Sequence, residues 1–232
     1  MTNTVTQSYN RQWQEKRHEA GRFLYQERVH ATFTKLFTEI LGQEFTGEIL
    51  DLGCGDGSLV TLLNQKPGIH ATGIDINPMG DQPGIDFEND ALPFADETFD
   101  ILIMYSVIEH IYNPGHILTE IRRILKPGGR IIVITPNFDL SHLFFCDRTF
   151  HHDPTHVTPY GKDRLGNLMD LYDFETEFMG LWTVGKSAGL WKLPPLTQFY
   201  IGALLPFTGL TAWAPAFLKG RSKTILAVFR RD

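Results

Sequence analysis

A glycine-rich loop follows the first apolar run of the chain and has the composition of a cofactor-binding turn. The run spans Gly47 to Gly53 (GEILDLG) and continues as Gly-Cys-Gly-Asp-Gly at residues 53–57. Glycines at such a strand-to-helix turn permit positive φ angles and let a ligand approach the main chain closely. Asp51 precedes the loop, and Asp75 ends the next apolar run in GIDINP. Since a carboxylate there can accept hydrogen bonds from both ribose hydroxyls, the pattern predicts a site for an adenosine cofactor.

Two cofactor classes compete for this loop, a nicotinamide dinucleotide and S-adenosylmethionine. The dinucleotide loop needs Gly-x-Gly-x-x-Gly, but here the third glycine, Gly57, comes one position early. Asp51 is also unfavourable beside a pyrophosphate, whereas it suits the positive ammonium and sulfonium groups of S-adenosylmethionine. The residues therefore favour S-adenosylmethionine.

A second set of reactive side chains follows the third apolar run. Glu109 and His110 come shortly after Phe99–Met104, and His156 belongs to the later cluster HHDPTH at residues 151–156. Histidine and carboxylate groups can act as general bases or as metal ligands. We expect Glu109 and His110 to lie at the rim of a pocket, because ligands of open α/β sheets bind at the carboxyl ends of the strands.

The remaining pattern alternates apolar runs with helical stretches. We expect strands at Gly47–Gly53, His70–Asp75, Phe99–Met104, Arg130–Thr135, Glu175–Thr183 and Ser222–Arg230, and helices at Ser58–Gln65, Gly115–Leu125 and Gly161–Leu171. Continuous apolar, β-branched runs separated by helices indicate a parallel sheet covered on both faces. Residues 7–41 predict two further helices, interrupted at Gly21 and ending near Gly42.

Composition narrows the possible functions. The 232 residues carry a formal charge of −6, which argues against nucleic acid as a partner because such binding needs clustered cations. Two cysteines cannot form a disulfide framework, and the polar N-terminus does not resemble a signal peptide, so we expect a cytoplasmic protein.

One segment has no charged residue from Pro194 to Leu218 and is followed by the cations Lys219, Arg221 and Lys223. Its prolines and glycines argue against a membrane-spanning helix. Four uses remain open for residues 194–223: packing against the sheet, an apolar lid over the acceptor, a membrane-surface patch, and a homodimer face.

The motifs ILDLGCGDG, GIDINP, NDALPFADETFD and ILKPGGRIIVITPN, from about Glu48 to Asn137, resemble the successive motifs of class I S-adenosylmethionine-dependent methyltransferases. The resemblance implies a Rossmann-like, doubly wound α/β fold with seven strands in the order 3-2-1-4-5-7-6, the seventh antiparallel. One domain would then comprise an N-terminal helical cap (1–46), a cofactor-binding core (47–137) and an acceptor-side region (138–232) with an apolar cap insertion at 191–220.

The resemblance also implies roles for individual residues. Asp51 and the main chain of Gly53 and Gly55 would hold the methionine end of the cofactor. The remaining cofactor-binding residues would be Asp75 at the ribose, Ile76, Asp90 and Ala91 at the adenine, and Tyr105 at the end of its strand. Independently of the resemblance, we expect the N-terminal helices, with Tyr9, Trp13 and Arg22 as candidate residues, to close over the cofactor.

The catalytic residues expected from the same comparison are Glu109, His110 and His156. Ubiquinone-pathway O-methyltransferases and RNA 3′-terminal 2′-O-methyltransferases are similar here, with Glu-x-x-Glu-His and a later His that together bind a divalent metal. This chain has Ser106 in place of the first Glu. The change removes an anionic ligand that Mg²⁺ would prefer, so a divalent metal and a histidine general base stay open as alternatives.

These observations predict an enzyme that transfers a methyl group from S-adenosylmethionine to a small-molecule, sugar or lipid-linked acceptor, at oxygen in preference to nitrogen or carbon. The alternatives are an enzyme like the RNA 2′-O-methyltransferases, which the acidic charge disfavours, and a non-catalytic cofactor-binding partner subunit, which the intact Asp51, Asp75 and Asp90 disfavour.

Overall fold

A computed structural model describes residues 22–77, 84–138, 153, 155–182 and 224–232. The described chain is a mixed α/β structure built on one six-stranded sheet. The strands are β1 (Gly47–Leu52), β2 (Ile69–Ile74), β3 (Phe99–Tyr105), β4 (Leu125–Pro136), β5 (Phe174–Trp182) and β6 (Thr224–Arg231). The helices are α1 (Arg22–Leu36), α2 (Ser58–Leu63), α3 (Gly115–Ile124) and α4 (Lys162–Leu171), with a π turn at Phe37–Leu41 and a 3₁₀ turn at Ile108–His110.

The strand order is β2-β1-β3-β4-β6-β5. The first four strands are parallel, whereas β6 runs antiparallel to both of its neighbours, β4 and β5. From β1 the chain first moves outward to β2 and then returns to β3 on the other side of β1. The direction therefore reverses between β1 and β3, and their carboxyl ends form the topological switch point where open sheets bind ligands.

The sheet is buried on both faces because apolar residues fill both sets of alternating positions. On one face Leu102 and Met104 of β3 contact a core that includes Ile117 of α3 and Leu165 of α4. On the other face neighbouring strand residues contact a core formed with α1 and α2. The three layers hold the strand ends in fixed positions.

All six strands expected from the apolar runs are confirmed, with ends shifted by a few residues. The fourth strand begins earlier than the expected Arg130, because residues 126–129 (KPGG) lie within β4, at a register irregularity between Phe99 and Ile101 of β3. The predicted end of the N-terminal helical stretch is confirmed: Gly42 has φ 64° and its N–H donates to the Phe37 carbonyl.

Other expectations have no counterpart in the described part of the chain. The seven-strand order is not confirmed, since within the described residues β2 is an edge strand with no strand on its outer side. The first N-terminal helix, with Tyr9 and Trp13, and the insertion at 191–220 lie outside the described residues. In the described ranges, no helix combines the length and apolar character needed to cross a membrane.

Candidate functional site

The glycine loop leaves β1 in a conformation that only small residues adopt easily. Gly53 has φ 80°, and a Cβ atom built there would lie 2.3 Å from Cγ2 of Val107. Val107 begins the turn that carries Glu109 and His110 after β3. The two predicted halves of the site are therefore in direct contact, at the switch point of the sheet.

Burial controls the pKa values of the two carboxyl groups beside the glycine loop, Asp51 and Asp75. Asp51 is 3% exposed, and its pKa is raised to about 7 by loss of solvation first and by the nearby charges of Asp75 and Asp56 next. Burial likewise raises the pKa of Asp75. Among the described residues, no Lys or Arg forms an ion pair with either carboxyl group. A cationic ligand would supply the missing positive charge.

Asp75 is held in place at the end of β2. Its Oδ2 accepts a hydrogen bond from the Gly55 N–H at 2.9 Å, and its Oδ1 accepts from the Asn77 N–H at 2.9 Å. These bonds connect the carboxyl group to the glycine loop and to the turn after β2. The glycine loop and the two carboxyl groups, which have no cationic partner among the described residues, together fit S-adenosylmethionine, whose methionine end carries ammonium and sulfonium cations.

The residues predicted to contact adenine lie in the chain between β2 and β3. Ile76 is half-buried, whereas Asp90 and Ala91 are exposed. Oδ2 of Asp90 accepts from the Asp86 N–H at 2.9 Å, and the Asp90 N–H donates back to the Asp86 carbonyl. Tyr105 lies at the end of β3, half-buried against the core on the α1 side of the sheet.

After β3 the chain turns sharply at Ser106, which has φ 55°. The following 3₁₀ turn directs Glu109 into the core rather than to the pocket rim expected from the sequence, and the residue is fully buried. Its Oε2 accepts from the Thr135 hydroxyl at 2.9 Å, while Oε1 has no hydrogen-bond partner in the described structure. Burial raises the pKa of Glu109 to about 7.

The main chain of Glu109 also brings the late histidine into the site. Its carbonyl accepts from the N–H groups of Val157 and Thr158, at 2.9 and 3.0 Å. His156 consequently lies beside His110, with 4.7 Å between the ring centroids.

Hydrogen bonding fixes the tautomer of His110. Its Nδ1 lies 2.9 Å from the Thr155 hydroxyl and 3.1 Å from the Thr155 carbonyl. That hydroxyl donates its own proton to Asp153, and a carbonyl can only accept. Nδ1 therefore carries the proton, and in the neutral ring Nε2 holds a lone pair. Burial first and His156 next lower the pKa of His110, which favours this neutral form.

The three residues predicted to be catalytic thus lie together. Glu109, His110 and His156 each offer a ligand atom within 4.8 Å of the other two. The unpartnered Oε1 of Glu109 and the lone pair of His110 fit a divalent cation. One carboxylate and two imidazoles suit Zn²⁺, Mn²⁺ or Fe²⁺ better than Mg²⁺, which prefers oxygen ligands and water.

Sequence reasoning missed the residues that support this cluster: Thr135, Asp153 and Thr155. Asp-Pro-Thr in HHDPTH is typical of a side-chain-capped turn and is the signal that could have indicated Asp153 and Thr155. Thr135 has no such signal, because its contact depends on the pairing of β3 with β4.

A family model described as a methyltransferase domain matches residues 22–177. The strand order, the acidic glycine loop and this match together show that the chain belongs to the class I S-adenosylmethionine-dependent methyltransferases. S-adenosylmethionine is accordingly the cofactor of the family.

Individual relatives agree with this assignment. The ubiquinone biosynthesis O-methyltransferase of Cereibacter sphaeroides is 36% identical over 102 residues, covering 38% of this chain and 41% of that protein. The demethylmenaquinone methyltransferase of Tropheryma whipplei is 32% identical over 106 residues, covering 41% and 44%. The match therefore spans less than half the length of these relatives.

A solved S-adenosylmethionine-dependent methyltransferase from Archaeoglobus fulgidus has a similar fold. The TM-score is 0.56 at 18% identity, and the alignment covers 89% of this chain and 94% of that one. At this identity the likeness supports the fold alone.

Proposed function

We propose that this protein transfers the methyl group of S-adenosylmethionine to the hydroxyl oxygen of a small-molecule acceptor. The observation that carries the proposal is the contact between the cofactor loop and the His110 turn through Gly53 and Val107. A nucleophile bound beside His110 would lie next to the methyl donor. Similarity to a ubiquinone biosynthesis O-methyltransferase supports both a small acceptor and oxygen as the methylated atom.

When bound, S-adenosylmethionine supplies an activated methyl group, so the task of the protein is to hold the nucleophile in line and to accept its proton. Asp51 and the glycine loop fix the methionine end, and Asp75 accepts hydrogen bonds from the ribose. Asp90 and Ala91 recognise the adenine edge, with Ile76 against its face. Tyr105 borders this pocket at the end of β3.

His110 accepts the acceptor's proton on Nε2. The protonated Nδ1, held by Thr155, leaves Nε2 as the basic atom, and a lowered pKa keeps the ring neutral near pH 7. His156 lies against the same ring and borders the acceptor. Glu109 is buried beside the two histidines. The negative charge of Asp153 favours the positive charge that develops on His110.

A divalent cation is a second arrangement, which the unpartnered Oε1 of Glu109 favours. Glu109, His110 and His156 would hold the ion, and it would lower the pKa of the acceptor hydroxyl. Chelation and metal replacement distinguish the two arrangements. Retention of a stoichiometric Zn²⁺ or Mn²⁺ ion that is lost in Glu109→Gln supports the cation, whereas full turnover after chelation supports the histidine base.

The test of the function is turnover on a panel of phenols, catechols and sugar alcohols, measured as S-adenosylhomocysteine formation and as methyl gain by mass spectrometry. With a positive acceptor, Glu109→Ala, His110→Ala and His156→Ala are expected to lower turnover, by about 10²–10⁴-fold for the general base. Their affinity for S-adenosylhomocysteine should stay nearly unchanged.

His70→Ala is the matched control, because His70 is exposed on β2 away from the cluster. Unchanged turnover in all three site variants would remove these residues from the mechanism. A methylated nitrogen or carbon in the product would contradict oxygen transfer.

A further inference from the structure

Three polar side chains of α3 contact the loop that carries Asp90 and Ala91. They are His116, Glu120 and Arg123, which lie on one face of the helix at spacings of four and three residues. The opposite face of α3 is apolar and buried in the core. The polar face is therefore not a simple solvent surface, since its side chains are used in contacts with the chain at residues 90–96.

The contacts are made to the main chain of the loop. Nε2 of His116 lies 2.9 Å from the Asp90 carbonyl, so this nitrogen is the protonated donor. Oε2 of Glu120 accepts from the Leu92 N–H at 2.8 Å, and Nη2 of Arg123 donates to the Leu92 carbonyl at 3.0 Å. Both main-chain groups of Leu92, one residue after Ala91, are thereby fixed to α3.

Arg123 uses all five of its N–H donors in this arrangement. Two go to the Glu120 carboxylate, at 3.0 and 2.7 Å. The others reach the carbonyls of Leu92 and Phe94 and the carboxylate of Asp96. Such a fully used guanidinium fork holds its partners at fixed angles, which a lysine cannot do.

We propose that His116, Glu120 and Arg123, together the α3 clamp, are positioning residues that hold Asp90 and Ala91 in the conformation that recognises adenine. The inference rests on the proposed adenine role of Asp90 and Ala91. Residues 90–96 lie outside helices and strands and include exposed positions. Without the α3 clamp this loop would be ordered only when the cofactor binds, at a cost in affinity.

The test compares the affinities of two ligands by calorimetry, S-adenosylhomocysteine and S-inosylhomocysteine. The second ligand has an oxo group in place of the adenine amino group. The wild-type protein should bind the adenosyl ligand about tenfold to a hundredfold more tightly, because the inosyl ligand has no amino group to donate a hydrogen bond to the Asp90 carboxylate. Asp90→Asn should reduce this preference and establishes whether Asp90 reads the base.

Arg123→Met and Glu120→Leu are expected to weaken S-adenosylhomocysteine binding by about tenfold to a hundredfold and to reduce the preference between the ligands. Glu120→Gln, whose amide oxygen can still accept from Leu92, should recover most of the preference. His116→Ala should lower it and His116→Gln, which can still donate, should restore it. The preference is measured within one variant, so lost stability alone does not change it.

Arg122→Met is the matched control. Arg122 is on the same helix and pairs with Asp173 at 3.4 Å, away from the loop. The preference should be unchanged in this variant. The inference would be overturned if every folded α3 clamp variant kept the preference of the wild type while Asp90→Asn lost it. That result would leave the proposed function intact. If wild type shows no preference, or Asp90→Asn keeps it, the adenine role of Asp90 fails and the inference fails with it. Should Arg123→Met not fold, the two His116 variants decide the outcome, since His116→Ala removes one exposed hydrogen bond and His116→Gln keeps it.

Discussion

At the scale of single residues, burial decides what each carboxyl group of the site can do. Asp51, Asp75 and Glu109 are all buried, and burial raises the pKa of each. For Asp51 the nearest charges are negative, which favours the protonated form further. Ionising these carboxyl groups therefore costs free energy, which a bound cationic ligand would offset.

Cofactor affinity is expected to depend on pH through Asp51. Its pKa of about 7 in the folded protein means that the carboxylate which pairs with a cation is scarce below that pH. Affinity for S-adenosylhomocysteine should rise about tenfold per pH unit below 7 and level off above it. Calorimetry from about pH 5.5 to 8 measures this. Asp51→Asn should bind weakly and lose the slope, whereas Glu48→Gln, on the exposed part of β1, should keep it.

The free energy of unfolding of the cofactor-free protein should show the opposite dependence on pH. Since the pKa of Asp51 is raised from 3.8 to about 7 on folding, the folded state binds one proton more than the unfolded state between these values. The free energy of unfolding must therefore fall as pH rises through this range. Thermal unfolding of wild type and Asp51→Asn should show a smaller decline in the variant. An equal decline would contradict the raised pKa.

At the scale of elements, the site is made by two turns in contact rather than by either turn alone. Gly53→Ala is expected to test this contact, because the new Cβ would meet Val107 and φ 80° would be strained. The left-handed backbone costs about 1–2 kcal/mol and overpacking a further 1–3 kcal/mol. Chemical denaturation measures the loss, and cofactor affinity should fall with it.

Gly42→Ala separates the cost of the left-handed backbone from the cost of overpacking. Gly42 has φ 64° but open space around its Cβ position, so only the backbone term of about 1–2 kcal/mol applies. Equal losses in the two variants would show that Gly53 and Val107 are not in tight contact.

A second element-scale prediction concerns the distal strands. Arg130 of β4 forms a bidentate ion pair with Glu177 of β5, with hydrogen bonds of 2.6 and 2.9 Å. The two side chains are only 12% and 15% exposed. Arg130→Met should destabilise the protein by about 2 kcal/mol, because it leaves a largely buried carboxylate with weaker partners. Cofactor affinity should not change. Glu39→Gln, which removes an exposed pair with Lys35, should cost less than about 0.5 kcal/mol.

The elements were predictable from sequence to the extent that local pattern determines them. Apolar runs such as Phe99–Met104 indicate buried strands wherever they occur, and the glycine loop specifies its own turn. The burial of Glu109 was not predictable, because it depends on the Ser106 turn and on Thr135 of a neighbouring strand. The tautomer of His110 likewise depends on Thr155, which is distant in sequence.

At the scale of the whole molecule, the topology brings these parts together. Because β1 and β3 are adjacent and parallel, the glycine loop and the turn that carries Glu109 and His110 lie at the same carboxyl end of the sheet. Apolar packing on both faces supports these strand ends, whereas the region expected on the acceptor side, residues 138–232, has little local sequence pattern outside its helix and strands. The donor half of the site was therefore predictable in more detail than the acceptor half.

The most direct test of the account is calorimetry of the full chain with S-adenosylmethionine and, in parallel, with NAD. The acidic loop and the early third glycine predict saturable 1:1 binding of S-adenosylmethionine, loss of that binding in Asp75→Asn, and no heat with NAD. Binding of NAD in place of S-adenosylmethionine, or S-adenosylmethionine affinity unchanged in Asp75→Asn, would contradict the cofactor site described above.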